Sequence, residues 1–196
     1  MGEIFSKKDE IALLRFARAV IAAKLGRAGE PPEKEIAHIP SALLEQKRGI
    51  FVTLHKKGEL RGCIGNIEPT KTIRDGIQEN AEYAAFRDTR FSPLGSEELD
   101  DIDIEISVLT KPDKIDHTDD QDLISRITPH VDGVILQKGF RKATFLPQVW
   151  DQLSDPEAFL RHLCLKAGMR ADEWKKGKLD VAVYQVDSFE ESGRDS

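Results

Sequence analysis

This chain of 196 residues has only two cysteines, no excess of basic residues and no long hydrophobic run. Two cysteines far apart exclude a disulfide framework and predict a protein of the reducing cytoplasm. The 35 acidic residues outnumber the 29 basic ones, and this argues against nucleic-acid binding, which needs a basic surface. The first ten residues are charged and lack a long apolar run, so we expect neither a signal peptide nor a membrane span.

The apolar residues that are present follow the periods of both helices and strands. Helices are predicted over residues 7–25, 70–88, 120–127 and 154–168, with a capping box at Ser6 and Asp9. Strands are predicted over residues 50–55, 60–65, 102–108, 133–137, 142–146 and 179–186. Because the turns are short, the strands should pair antiparallel. We therefore expect an α+β fold, with helices packed on antiparallel sheets.

The segment Leu60–Gly65 combines a nucleophile, a cation and two glycines. In a regular strand, Arg61 and Cys63 would point to the same face. A nearby guanidinium favours thiolate over thiol and thus activates a cysteine. Gly62 and Gly65 allow a ligand or another backbone to approach closely. The alternative is that Cys63 is a small packing residue and that the glycines mark only a bulge or a crossing.

The strands over residues 50–55 and 60–65 are predicted to form a hairpin that turns around Lys57-Gly58. The position of His55 depends on how this hairpin pairs. One loop length places His55 opposite Arg61 and Thr53 opposite Cys63. A slip of one residue would move His55 to the other face of the sheet. Both registers are compatible with the sequence.

Further candidates are carboxylates and an arginine. Asp88 and Arg90 follow the second helix and form either an anion-binding pair at a site or an ion pair in a loop. Glu105 shares one strand face with two aspartates, a set that offers oxygen ligands for Mg²⁺ or Ca²⁺. The sequence favours a solvated outer face instead, because alternation with isoleucine produces this pattern by itself. No zinc-type spacing occurs, so we predict no metal and no cofactor.

Together with several other segments, Leu60–Gly65 resembles the AMMECR domain family, whose hallmark is this motif. The further matching segments are Phe51–Leu54, Ala84–Ala85, Asp88–Pro93, Glu98–Leu99, Ile104–Leu109, Phe145–Val149 and Phe159–Gly168. They keep their order over most of the chain. One departure is Asp132-Gly133, where family members often have His-Gly.

The resemblance implies two unequal lobes with the motif near a cleft. We expect one such domain over residues 1–190 and a loose polar tail over 191–196. The family's reaction is not settled. Prokaryotic members are often encoded beside a Memo-like protein and a radical S-adenosylmethionine protein, which implies partners in a modification pathway.

Two functions from different classes follow. In the first, the chain is an enzyme or enzyme component that acts on a small molecule or a protein. Its catalytic residues would be Cys63, Arg61, His55 and Asp88, and its substrate-binding residues Gly62, Gly65, Arg90 and Glu105. In the second, it is an adaptor that presents a ligand to a partner enzyme, and Cys63 only packs. Local nucleic-acid binding is a third and weaker alternative.

Overall fold

The computed structural model describes residues 5–27, 29–176 and 179–191. The α-helices are α1 (Lys7–Lys24), α2 (Ser41–Leu44), α3 (Ile73–Phe86), α4 (Asp120–Ser125) and α5 (Pro156–Lys166). The strands are β1 (Lys47–Lys56), β2 (Glu59–Thr72), β3 (Ile102–Leu109), β4 (Asp113–Ile115), β5 (Gly133–Lys138), β6 (Arg141–Phe145), β7 (Asp180–Tyr184) and β8 (Val186–Glu190). Short 3₁₀ helices cover Pro32–Lys34, Ser96–Glu98, Pro147–Asp151 and Glu173–Lys176. Within these described residues, every helix is too short or too polar to traverse a bilayer.

Antiparallel pairing runs through both sheets, which confirms the expected α+β fold. The chain divides into two compact units. The first unit contains residues 1–109 and 187–196, and the second contains residues 110–186. The sequence left this boundary undefined because no linker-like composition marks it.

The sheet of the first unit has the strand order β2-β1-β3-β8 and two unlike faces. Its inner face packs against α1 and α3, and Ile50, Val52 and Leu54 are fully buried there. Alternate residues of β1 belong to the outer face and are half-buried. By the same alternation, the outer face also carries Cys63, Asp103, Glu105, Ser107, Ser188 and Glu190. The outer face is thus polar, which is typical of an antiparallel sheet with one face turned from the core.

Both long helices of the first unit begin at a side-chain cap. At α1, Ser6 and Asp9 form the predicted capping box, because each side chain accepts a hydrogen bond from the other residue's backbone N–H. At α3, the N–H of Asp75 donates to the hydroxyl of Thr72 over 3.1 Å. These bonds satisfy N–H groups that have no partner inside a helix, and they fix where each helix starts.

The β1–β2 hairpin turns at Lys57 and Gly58, as predicted. Both residues have positive φ, 55° and 79°, as a two-residue type I′ turn requires. Leu54 pairs with Gly62, whereas His55 pairs with Leu60. Arg61 is therefore the extra residue of a β-bulge, which interrupts the regular alternation.

Gly62 lies where strand β2 meets helix α3. A Cβ atom at this position would lie 2.2 Å from the carbonyl oxygen of Ala84. The backbone of the strand therefore touches the backbone of the helix, and only glycine permits that distance.

The second unit has the strand order β4-β7-β5-β6 and its own core. The ring of Trp150 stacks on Phe159, with centroids 3.7 Å apart. The indole N–H of Trp150 donates to the carbonyl oxygen of Asp132 over 2.8 Å. Helix α5 starts at the predicted position, where the Asp155 carboxylate accepts from the N–H of Ala158 over 2.7 Å.

The sequence reading missed two strands among the described residues. Strand β4 has only three residues, too few for a periodic signal. The predicted strand 179–186 covers β7 but ends at Val186, the first residue of β8, which belongs to the other sheet. Glu191 also belongs to the fold, because its carboxylate accepts from Arg18 and from the N–H of Ile104. The rest of the expected tail, residues 192–196, lies outside the described residues.

Replacing Gly62 by alanine should destabilise the first unit. We expect Gly62→Ala to lower the free energy of unfolding by about 1–3 kcal/mol, since strand and helix must separate. Gly29→Ala is the matched control, because a Cβ atom there meets nothing within 4 Å and should change stability by less than about 1 kcal/mol. Urea unfolding measures both, and equal effects would refute the close contact.

Candidate functional site

Cys63 lies on the outer face of the sheet, opposite Thr53. The Thr53 hydroxyl donates a hydrogen bond to the Cys63 sulfur over 3.3 Å. The Cys63 residue is half-buried. Thr53 and His55 lie two residues apart on β1 and share a face, so the histidine and the cysteine are on the same face of the sheet. Thr53 pairs with Cys63 as in the first predicted register, but the bulge places His55 opposite Leu60 and not opposite Arg61.

Asp88 holds the backbone of Cys63 from outside the sheet. Its carboxylate accepts from the N–H of Cys63 over 2.9 Å and from the N–H of Arg90 over 3.1 Å. Only 4% of this side chain is exposed. Because β2 is an edge strand, the outward N–H of Cys63 would otherwise lack a strand partner.

Arg90 completes this arrangement from the same segment. Its guanidinium donates to the two oxygens of Asp88 over 2.9 and 2.6 Å, and also to the carbonyl oxygen of Cys63 over 3.1 Å. We call Asp88 and Arg90, bound in this way to Cys63, the clamp. More than half of the Arg90 side chain, 55%, remains exposed, so the cation can also contact a ligand.

The charges of the clamp stabilise one another. The hydrogen bond from Arg90 holds the pKa of the Asp88 carboxyl well below its usual range, and the N–H of Cys63 acts in the same direction. Asp88 in turn raises the pKa of Arg90, with Cys63 as a lesser contributor. A carboxylate held ionised by several donors is a poor proton acceptor, so the geometry favours an orienting role for Asp88.

Arg61 does not share the face of Cys63. Its guanidinium donates to Glu98 over 3.1 and 2.8 Å and to the carbonyl oxygen of Ser92 over 3.0 Å. Arg61 and then Lys56 hold the pKa of Glu98 well below its usual range. The expectation that Arg61 lies beside the cysteine is wrong, because the bulge at Arg61 turns its side chain towards Glu98.

Three residues on neighbouring strands approach one another elsewhere on the outer face. One ligand atom from each of His55, Glu105 and Glu190 lies within 4.8 Å of the other two. Oε1 of Glu105 also accepts from the hydroxyls of Ser188 and Ser107, over 2.8 and 3.3 Å. Among the described residues, this is the one group of three histidine, cysteine or acidic side chains whose ligand atoms lie close enough together to hold a metal ion.

The remaining candidate positions serve the packing of the chain. Gly65 lies under the ring of Phe51, which a Cβ atom would approach to 2.3 Å. Cys164 is fully buried in the core of the second unit, and this burial raises the pKa of its thiol. Asp132 is buried and accepts from the N–H of Thr128 over 2.8 Å.

The structure thus brings Cys63, Asp88 and Arg90 into direct contact, groups His55 with Glu105, and leaves Arg61 with Glu98. Sequence reasoning missed Glu190 entirely, because a glutamate in a polar segment near the chain end carries no signal. It also missed Glu98 as the partner of Arg61, although Glu98–Leu99 is one of the segments on which the family resemblance is based. The contact of Glu98 with Arg61 spans 37 positions and has no local pattern.

Comparison with known proteins places the chain among archaeal relatives. A model of the AMMECR1 family matches residues 14–189. A protein of Methanothermobacter thermautotrophicus is 44% identical over 152 residues, which are 77% of this chain and 79% of that protein. A protein of Thermofilum pendens is 38% identical over 205 residues, covering 98% of this chain and 93% of that protein. These matches confirm the resemblance.

A solved structure has the same fold. The crystal structure of an uncharacterized protein from Pyrococcus horikoshii matches with a TM-score of 0.74 and 34% sequence identity. The match covers 96% of this chain and 93% of that one. Both units therefore have counterparts in that protein.

Asp88 should make the free energy of unfolding depend on pH in the acid range. Because its pKa is lowered by folding, its contribution is complete above the pKa of an unfolded aspartate, about 3.9, and is lost as the pH falls below that value. We expect Asp88→Asn to lower the free energy of unfolding at neutral pH by about 1–3 kcal/mol. Between about pH 5 and pH 3, the free energy of unfolding of this variant should decrease less steeply than that of the wild type.

Urea unfolding at a series of pH values measures this effect. The control is Asp101→Asn, which removes an exposed carboxylate of a nearby turn and should change stability by less than about 0.5 kcal/mol. If both variants retain the wild-type slope, Asp88 does not hold the charge that the clamp requires.

Proposed function

The chain belongs to the AMMECR1 family, and from the geometry of its outer face we propose that it is an enzyme or enzyme component with Cys63 as nucleophile. The observation that carries this proposal is the clamp. It supports the backbone of Cys63 on both its N–H and its carbonyl side and holds a cation next to the residue. A cysteine used only for packing needs no such support.

The proposed roles follow from the contacts. Arg90 stabilises negative charge on the sulfur, as a cation beside a thiol does. Asp88 orients Arg90 and fixes the strand. The Thr53 hydroxyl contacts the sulfur directly and positions it. Arg61 holds the segment that carries Arg90, through Glu98 and Ser92.

The exposed part of Arg90 defines the class of substrate. A guanidinium that already binds one carboxylate and still has over half of its surface exposed suits a second anionic group. We therefore propose a substrate with a carboxylate or phosphate beside its reactive carbon, either a small molecule or a side chain of a protein. We assign no proton transfer to His55, whose ring faces Glu105 and Glu190.

We place this activity in the cytoplasm, since both cysteines are free thiols. The family resemblance supports a modification pathway shared with a Memo-like protein and a radical S-adenosylmethionine protein.

One feature favours the rival function of an adaptor. Phe140 lies at the turn between β5 and β6 and is fully exposed. An exposed aromatic side chain at the tip of a hairpin is accessible to a partner protein, and aromatic side chains are frequent among the residues that dominate protein interfaces. An adaptor would bind its partner through such an anchor whether or not residue 63 is a cysteine.

Alkylation of Cys63 tests the proposed function. We expect iodoacetamide to modify Cys63 in the native Cys164→Ser protein at neutral pH. Arg90→Gln should slow the reaction by about three- to ten-fold, because the cation that favours the thiolate is gone. Arg90→Lys should retain most of the rate, because it keeps the charge. The labelling rate is followed by intact mass.

Arg87→Gln is the matched control, since Arg87 lies three residues away and packs over the ring of Tyr83. Its labelling rate should equal that of the parent protein. Labelling that begins only on unfolding would contradict the proposal and favour the adaptor. Equal rates in Arg90→Gln and Arg87→Gln would show that the sulfur does not sense the clamp.

A further inference from the structure

We propose that His55, Glu105 and Glu190 form a binding site for a divalent first-row transition metal ion. This site goes beyond the proposed function, because it uses neither Cys63 nor the clamp. Its three side chains are brought together by the sheet from positions far apart in the chain.

The geometry comes from three adjacent strands. His55 is on β1, Glu105 on β3 and Glu190 on β8, which are neighbours in the sheet. His55 pairs with Asp103, so Glu105 is its diagonal neighbour, a distance that long side chains bridge. One ligand atom from each residue lies within 4.8 Å of the others. Metal bonds of about 2.0–2.2 Å would draw these atoms slightly closer, which small side-chain rotations allow.

The donor set selects the class of metal. Mg²⁺ and Ca²⁺ prefer oxygen ligands alone, whereas an imidazole nitrogen with two carboxylates suits Zn²⁺, Mn²⁺ or Fe²⁺. Three protein ligands leave coordination positions for water or a substrate, as catalytic metal sites do.

The surroundings of Glu105 support a ligand role. The Ser188 hydroxyl donates to Oε1 of Glu105 over 2.8 Å. The Ser107 hydroxyl lies 3.3 Å from the same oxygen and 3.0 Å from the Ser188 hydroxyl, so its single proton can be donated to either of them. Such outer hydrogen bonds fix the direction of a metal-binding carboxylate. Two carboxylates this close repel each other, and a divalent cation between them would offset that repulsion.

The site is also near the cysteine. Thr53 is the Cα partner of Cys63 on one side and of Glu105 on the other. The proposed metal site and the cysteine therefore flank one residue on the same face, so one bound molecule can contact both.

Calorimetric titration of the untagged, chelator-treated full chain tests the site. The parent is Cys63→Ser with Cys164→Ser, which removes both thiols as competing ligands. We expect one Mn²⁺ or Zn²⁺ ion to bind per chain, with Mg²⁺ giving no comparable binding. His55→Gln and Glu105→Gln should each weaken binding by about ten-fold or more, and Ser188→Ala by a smaller factor.

Asp103→Asn is the matched control, because it removes the same charge from the same strand face but lies outside the cluster. Its affinity should stay within about three-fold of the parent. Thermal melts of each variant without metal establish that it is folded, and Ser188→Ala keeps all three ligands should another variant unfold.

Three results would overturn the site: no binding at millimolar metal, equal loss in Asp103→Asn and Glu105→Gln, or unchanged binding in His55→Gln. The second result would mean diffuse attraction to acidic side chains. Labelling of Cys63 is measured on the metal-free protein and uses none of the three metal ligands, so failure of the metal site is distinguishable from failure of the cysteine proposal.

Discussion

The site depends on one buried carboxylate. Asp88 accepts hydrogen bonds from two backbone N–H groups and from the guanidinium of Arg90, and its side chain is almost fully buried. A charge in that position is tolerated only because donors surround it, and loss of any partner leaves it poorly solvated. The same contacts tie the edge strand β2 to the segment after α3. Cys63 therefore has one fixed backbone position relative to a cation.

The inner face of the first sheet contributes stability, and its outer face carries the proposed functional residues. The inner face is apolar and packs on α1 and α3, so a slip in register would expose Ile50, Val52 and Leu54. The free-energy cost of exposing these apolar side chains fixes which residues form the outer face. Polar side chains from four strands are thereby held on a rigid sheet, and sites built on strands keep their geometry better than sites on loops. The proposed nucleophile and the proposed metal ligands both depend on this constraint.

Local signals made much of the fold predictable. The capping box at Ser6, the turn at Lys57-Gly58 and the start of α5 each involve residues within a few positions of one another, and the structure contains all three. The bulge at Arg61 was not predictable, because what fixes it is a distant partner, Glu98. The pairing of Cys63 with Asp88 and the return of β8 to the first sheet also depend on contacts between remote segments.

Amide hydrogen exchange tests the clamp most directly. The N–H groups of Cys63 and Arg90 both donate to the Asp88 carboxylate and not to a neighbouring strand. We expect both N–H groups to exchange slowly in the wild type. Asp88→Asn should accelerate the exchange of both together, while the N–H groups of β1 stay protected. Fast exchange of either N–H in the wild-type protein would contradict the clamp and, with it, the fixed position of Cys63.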